Sequence, residues 1–273
     1  NGDLSIAKEL IEVAADAGAD AVKFQTFRAD KLFVDDRDAG DSSAYEVVSD
    51  LELPYEWIPK LAEYCDRQGV MFLSTPFDET SLEELDEYVP AFKIASFTLS
   101  HYPFLQRVAA KGKPMLLSTG AHNLPEVREA VEILKDTGVA SLALLHCVSA
   151  YPTPLEEINA RAVKTLRSEF ETVVGLSDHT VNPAIAPAAA VTLGASVVEK
   201  HVTLDKNMEG PDHSFALEPD ELSQMVDVIR RTETALGEGR IELSAIESKT
   251  ADRARRRLFV VNHIDAGERI GEE

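Results

Sequence analysis

Two lysines stand where apolar side chains are the norm. Lys23 lies in Val22-Lys23-Phe24-Gln25 and Lys93 in Phe92-Lys93-Ile94-Ala95, so each ammonium is expected to be buried on one side, which is costly unless an anion meets it. Polar groups end the neighbouring apolar runs: Gln25, Ser74 and Thr75, Ser96, Ser118 and Thr119, Ser149, Ser177 and Asp178. Fixed cations and hydroxyls gathered in one place suit an oligo-anion such as a phosphate or carboxylate ester. The same spacing allows a lysine paired with a core carboxylate, or a Schiff-base lysine. His179 ends one run and Lys200-His201 the next, so two imidazoles can converge on one divalent cation and leave positions open for water and substrate. His146 and His213 are further candidates for that cation. Gly237-Glu238-Gly239 reads as a helix stop, and Cys147 beside His146 is no nucleophile pair, because strand neighbours point to opposite faces.

A repeating frame must bring these residues together. Short apolar runs at 21–25, 70–74, 91–95, 114–118, 142–147, 172–177 and 196–202 predict seven strands. Amphipathic stretches at 4–17, 54–68, 81–88, 103–110, 125–136, 157–169, 183–193 and 219–235 predict helices between and around them. In the first helix Ile6, Leu10, Ile11 and Ala14 share a face, and Gly18 stops it. Alternating β and α of this length implies a parallel sheet covered by helices. With an eighth strand before Asn1 it becomes a (β/α)8 TIM barrel, whose strand ends ring the active site. An open flavodoxin-like sheet is the alternative. Residues 1–240 form this domain; 241–273 form a linker and the opening of a small β domain, with a strand over 258–261 and a basic stretch over 251–257 that suits a domain or subunit contact.

Composition narrows the partners. Of 273 residues, 48 are acidic and 27 basic, a net charge of −21, which repels nucleic acid and anionic lipid surfaces. No apolar run approaches the roughly 20 residues of a membrane helix. Two cysteines make no disulfide scaffold, and a reducing cytoplasm is the expected compartment.

Read together, the motifs resemble the sialic acid synthase family. The resemblance rests on Val22-Lys23-Phe24-Gln25-Thr26, Leu73-Ser74-Thr75-Pro76-Phe77-Asp78, Phe92-Lys93-Ile94-Ala95-Ser96 and Leu117-Ser118-Thr119-Gly120. It continues through His146-Cys147-Val148-Ser149-Ala150-Tyr151-Pro152, Gly175-Leu176-Ser177-Asp178-His179-Thr180, Glu199-Lys200-His201 and Gly210-Pro211-Asp212-His213. Asn1-Gly2 is similar to the end of the family's first-strand motif. The stretch 254–267 is similar to the start of its C-terminal β-clip, antifreeze-like (SAF) domain.

The resemblance implies metal-dependent condensation of phosphoenolpyruvate with an open-chain N-acetyl amino sugar, giving a nine-carbon 2-keto acid and phosphate. It assigns Lys23, Thr75, Lys93, Ser96, Ser118, Ser149 and Ser177 to phosphoenolpyruvate, and Gln25, Tyr151 and Asp212 to the sugar. His179 and His201 would hold a Mn or Mg ion and, with Lys23 and Lys93, form the catalytic set. A homodimer is implied once the C-terminal domain is complete. The family's first-strand glutamate would precede Asn1, and its β-clip arginine would follow Glu273. An acidic residue expected two positions after Ser96 is replaced by Thr98. Lys-Ile-Ala-Ser-Phe is closer to the pseudaminate-type spelling, which Thr98 then breaks, so the amino sugar stays open. A Schiff-base pyruvate aldolase and a non-catalytic sugar- or anion-binding barrel are the other readings.

Overall fold

Local sequence sets the ends of the first helix. The Asp3 carboxylate accepts the Ser5 amide at 2.7 Å, a helix-opening cap, and Gly18 takes φ +81° just past the end, where the amides of Gly18 and Ala19 return to the carbonyls of Ala15 and Ala14. Between them runs α1 (Leu4–Asp16), which buries Ala7, Ile11 and Ala14. The buried stripe is thus turned slightly from the expected one, and Ile6 and Leu10 line a cavity instead. The computed structural model describes residues 2–34, 44–269 and 271; Asn1, with its part of the expected first-strand motif, lies outside them.

The expected strands and helices follow, with two short helices, α2 and α3, that the sequence pattern does not predict: β1 (Ala21–Thr26), α2 (Ala29–Leu32), α3 (Ala44–Ser49), α4 (Ile58–Gln68), β2 (Met71–Pro76), α5 (Glu79–Asp86), β3 (Phe92–Ile94), α6 (Tyr102–Ala110) and β4 (Met115–Ser118). Then come α7 (Leu124–Thr137), β5 (Leu142–Cys147), α8 (Ala162–Phe170), β6 (Val173–Asp178), α9 (Ile185–Thr192), β7 (Val197–Lys200), α10 (Pro219–Leu236) and α11 (Ser248–Ala254). The helix expected from residue 157 starts at Ala162, after a single 3-10 turn over Leu155–Glu157.

All ladders are parallel. β1 pairs with β2, and β3 through β7 pair in sequence order. Phe92, Ile94, Leu117, Leu144 and Leu176 point to the helices and are fully buried, each worth about 1.5–3 kcal/mol of burial. Their strand neighbours necessarily point the other way, into the concave side. There the side chains of β1, β3 and β7 meet, so the sheets curl around one interior.

The chain divides into two compact units, Asn1–Ala235 and Leu236–Glu273. The strand expected over 258–261 does not form: those residues are irregular, and Leu258, Phe259, Val260 and Val261 are exposed. A strand needs a ladder partner, and among the described residues none pairs with this run.

Candidate active site

The period of two decides which polar residues reach the interior. Lys93 faces it from β3, buried at 3% exposure, with Nζ donating to the Ile94 carbonyl at 3.0 Å. Lys23 faces it from β1. Both ammonium groups approach one carboxylate: Glu199 Oε1 is 3.8 Å from Lys23 Nζ and 3.7 Å from Lys93 Nζ. Ser177, the register partner of Glu199, donates its hydroxyl to the same oxygen at 3.1 Å. Burial pushes the Lys93 ammonium below its ordinary value, with Glu199 opposing and Lys23 adding to the shift. Burial alone would raise Glu199, but Lys23, Lys93 and His201 hold it at about 2. Two cations against one carboxylate leave the pocket positive within an acidic protein, which favours an incoming anion.

Two hydroxyls here have no partner among the described residues. Thr75 Oγ1 and Ser118 Oγ are buried and make no hydrogen bond to any of them, a cost of about 1–3 kcal/mol each. Gly120 opens the adjoining space: a Cβ there would stand 2.4 Å from Ser149 Oγ, 2.9 Å from Ser96 Oγ and 3.0 Å from Cys147 Sγ. Its amide donates to Ser96 Oγ at 3.0 Å. Ser96 and Thr98 are buried in one 3-10 turn, so the position where an acid was expected presents a hydroxyl side chain.

His179 and His201 follow the ends of β6 and β7, with ring centroids 5.3 Å apart. His179 Nδ1 lies 2.9 Å from the Val148 carbonyl oxygen, so that nitrogen carries the proton and Nε2 keeps its lone pair. His201 Nδ1 lies 3.3 Å from Asp212 Oδ2, an arrangement that likewise leaves Nε2 free. Imidazoles oriented from the far nitrogen by a carbonyl and a carboxylate are what metal-binding histidines require, so this pair fits a divalent cation. Among the described residues no third His, Cys, Asp or Glu completes a cluster. Although burial disfavours its charged form, the Cys147 sulfur, at 4.0 Å, and the Val148 carbonyl raise the His179 pKa.

Aromatic rings wall this end. Tyr151 stacks 4.3 Å from His179, and Phe215 lies 5.2 Å from His201. Burial, with the Cys147, Asp212 and Glu199 charges nearby, pushes the Tyr151 phenol up to about 12, so it remains a donor. Gln25, His201 and Asp212 share a cavity of about 570 Å³ whose other walls include Phe24, Trp57 and Phe77.

Several expected residues fall elsewhere. Ser74 faces the helices, 2.8 Å from Thr26 Oγ1. Lys200 and Asp178 also face outward and pair with each other at 2.6 Å. His146 Nε2 is engaged by the Ile158 carbonyl at 2.8 Å, and His213 Nδ1 by Thr203 Oγ1 at 2.6 Å. Each follows from strand alternation or from loop position.

The chain matches the NeuB family over residues 10–241. It belongs to that family. Among relatives of this NeuB-family chain, the spore coat polysaccharide biosynthesis protein SpsE of Bacillus subtilis is 42% identical over 100% of the chain and 79% of its own length. The N,N'-diacetyllegionaminic acid synthase of Campylobacter jejuni is 41% identical, over 100% of this chain and 85% of that one. The crystal structure of N-acetylneuraminic acid synthetase from Leptospira borgpetersenii, in complex with citrate, superposes with a TM-score of 0.84 at 34% identity, covering 94% and 89% of the two chains.

Glu199, Phe215 and Gly120 were not singled out from sequence in this NeuB-family site. Glu199 had a legible signal, since it stands two residues before His201 and must share its face. Phe215 and Gly120 had none, because their roles depend on which loops meet.

Proposed function

We propose that this chain condenses phosphoenolpyruvate with an open-chain N-acetyl amino sugar, of the mannosamine or diacetamido-hexose type, inside a (β/α)8 barrel. The observation that carries this is the pair of orphaned buried hydroxyls, Thr75 and Ser118, on the inner face that also presents Lys23 and Lys93. Buried hydroxyls without a partner beside two ammonium groups suit an anionic ligand, and the relatives' names supply the class of product. Lys23 and Lys93 neutralise the phosphate and carboxylate, and Ser96, Ser118, Thr75, Ser149 and Ser177 orient them. Glu199 keeps the two ammonium groups close without an anion present. Gln25, Tyr151 and Asp212 face the sugar.

The enol carbon forms the new C–C bond at the aldehyde carbon. Water oxygen adds at C2, and the C–O bond to phosphate breaks. The two water protons end on the new hydroxyl and on phosphate. His179 and His201 would hold a Mn or Mg ion, whose chemistry when bound is to polarise the aldehyde as a Lewis acid. A cytoplasmic location, and a homodimer once the C-terminal domain is complete, are part of the proposal. It is supported by the free buried thiols of Cys65 and Cys147, by the lack of any helix, among the described residues, long and apolar enough to cross a membrane, and by the exposed apolar run from Leu258.

The test is phosphate release from phosphoenolpyruvate with and without Mn²⁺, against N-acetylmannosamine and the two diacetamido hexoses. Release that needs metal and one sugar, and that is lost in His179→Ala, is expected. Phosphoenolpyruvate binding without release for any sugar would favour the anion-binding reading. The buried amine of Lys93 is the one feature that favours a Schiff-base aldolase; a borohydride-trapped pyruvate adduct and indifference to chelator would replace the synthase with it.

A further inference from the structure

Successive rungs between β6 and β7 alternate in direction. Ser177 pairs with Glu199 and faces inward. Asp178 pairs with Lys200 and faces outward, the two side chains 0% and 2% exposed, with Lys200 Nζ 2.6 Å from Asp178 Oδ2. One residue further, His179 and His201 turn back inward. Among the described residues the ladder ends at the Asp178–Lys200 rung, so no backbone pairing joins the histidines. Their carbonyls are drawn apart, His179 to the amide of Thr153 and His201 to the amide of Leu217.

The charged rung ties the two strand ends beyond the last ladder bond. Asp178 accepts the amide of Thr180 at 2.9 Å and its hydroxyl at 3.1 Å. Lys200 donates to the Thr180 carbonyl as well as to Asp178. His179 is therefore bracketed by two residues bound to Lys200, and Lys200 is covalently joined to His201. Stability does not account for such a pair, because desolvation offsets its attraction and apolar residues of similar volume commonly do as well.

We propose that Asp178 and Lys200 are positioning residues, a clamp that sets the separation and orientation of the His179 and His201 rings and thereby the affinity of the site for a divalent cation. The clamp rests on the reading of those histidines as metal ligands. It predicts that cation affinity can be lost without loss of fold and without disturbing the anion pocket, which lies on the opposite face of the same strands.

The test is the double variant Asp178→Leu/Lys200→Met in the full chain, with three readouts: thermal unfolding, Mn²⁺ binding followed by the electron paramagnetic resonance of free Mn²⁺, and phosphoenolpyruvate binding without metal. The expected result is a melting temperature within a few degrees of the parent, Mn²⁺ affinity lower by roughly tenfold to a hundredfold, and unchanged phosphoenolpyruvate binding. Equal Mn²⁺ affinity in a folded double variant overturns the clamp and leaves the metal reading standing; a parent that binds no Mn²⁺ overturns both. Equal losses of Mn²⁺ and phosphoenolpyruvate binding would show general loosening and also overturn it. Should the double variant not fold, Lys200→Arg keeps the charge but changes the reach. Its Mn²⁺ affinity is expected to fall several-fold, and parental affinity there rejects the clamp.

Discussion

Ser177 and Asp178 are adjacent on one strand, yet they belong to opposite kinds of environment. On the helix-facing side of the sheets, buried polar groups are satisfied in pairs: Asp178 with Lys200, Thr26 with Ser74. On the concave side, two lysines share one carboxylate, and two hydroxyls have no partner among the described residues. Both faces carry lysines, carboxylates and hydroxyls on the same strands, and what separates them is completeness. A set of polar groups that is closed on itself has nothing left to offer a ligand, whereas one left open by one anion's worth of charge is waiting for one.

The comparison breaks if replacing an inner lysine or an unpartnered inner hydroxyl costs stability as an outer substitution does. The largest expected effect is Lys93→Met, which should lower phosphoenolpyruvate affinity by at least about a hundredfold while leaving the melting temperature equal or higher, as titration calorimetry and thermal unfolding would show. A melting temperature that falls with the affinity would place Lys93 among the structural pairs. Next is Glu199, held near 2 against an ordinary 4.5. A folded-state pKa below the unfolded one gives stability that is present above pH 4.5 and lost as pH falls toward 2. That limb should amount to about 3 kcal/mol and should flatten in Glu199→Gln when unfolding is followed across this range.

Smaller effects sharpen the contrast. Thr75→Val and Ser118→Ala should each weaken phosphoenolpyruvate binding roughly tenfold, with stability unchanged or raised because an unsatisfied group has been removed. Thr26→Val, on the outer face, should do the reverse. It leaves Ser74 without its partner and should cost about 1 kcal/mol in denaturant unfolding, with binding as in the parent. If Thr26→Val weakens binding as much as Thr75→Val, the two faces are not distinct.

Period-two and period-3.6 patterns placed β1 through β7 and most helices within a few residues, because each strand and helix is specified by its own apolar spacing. Lys23, Lys93, Thr75, Ser118, His179 and His201 were legible for the same reason, as polar residues at apolar strand ends. Lys200, Asp178 and Ser74 stand next to site residues in sequence, but strand alternation turns them to the outer face. The 258–261 run has the local propensity of a strand, but a strand also needs a neighbour to pair with.

Local residue order specifies the alternation of strands and helices, the points where glycines and caps end them, and the inventory of anion- and metal-binding groups. These depend on interactions within a few residues. The assembled fold is what makes Lys23 and Lys93, from β1 and β3, meet one oxygen of Glu199 on β7, leaves Thr75 and Ser118 without partners among the described residues, and sets Asp178 against Lys200 behind the histidines. Those outcomes depend on how far the sheets curl and on which strand lies beside which, and the packing of the whole chain fixes both.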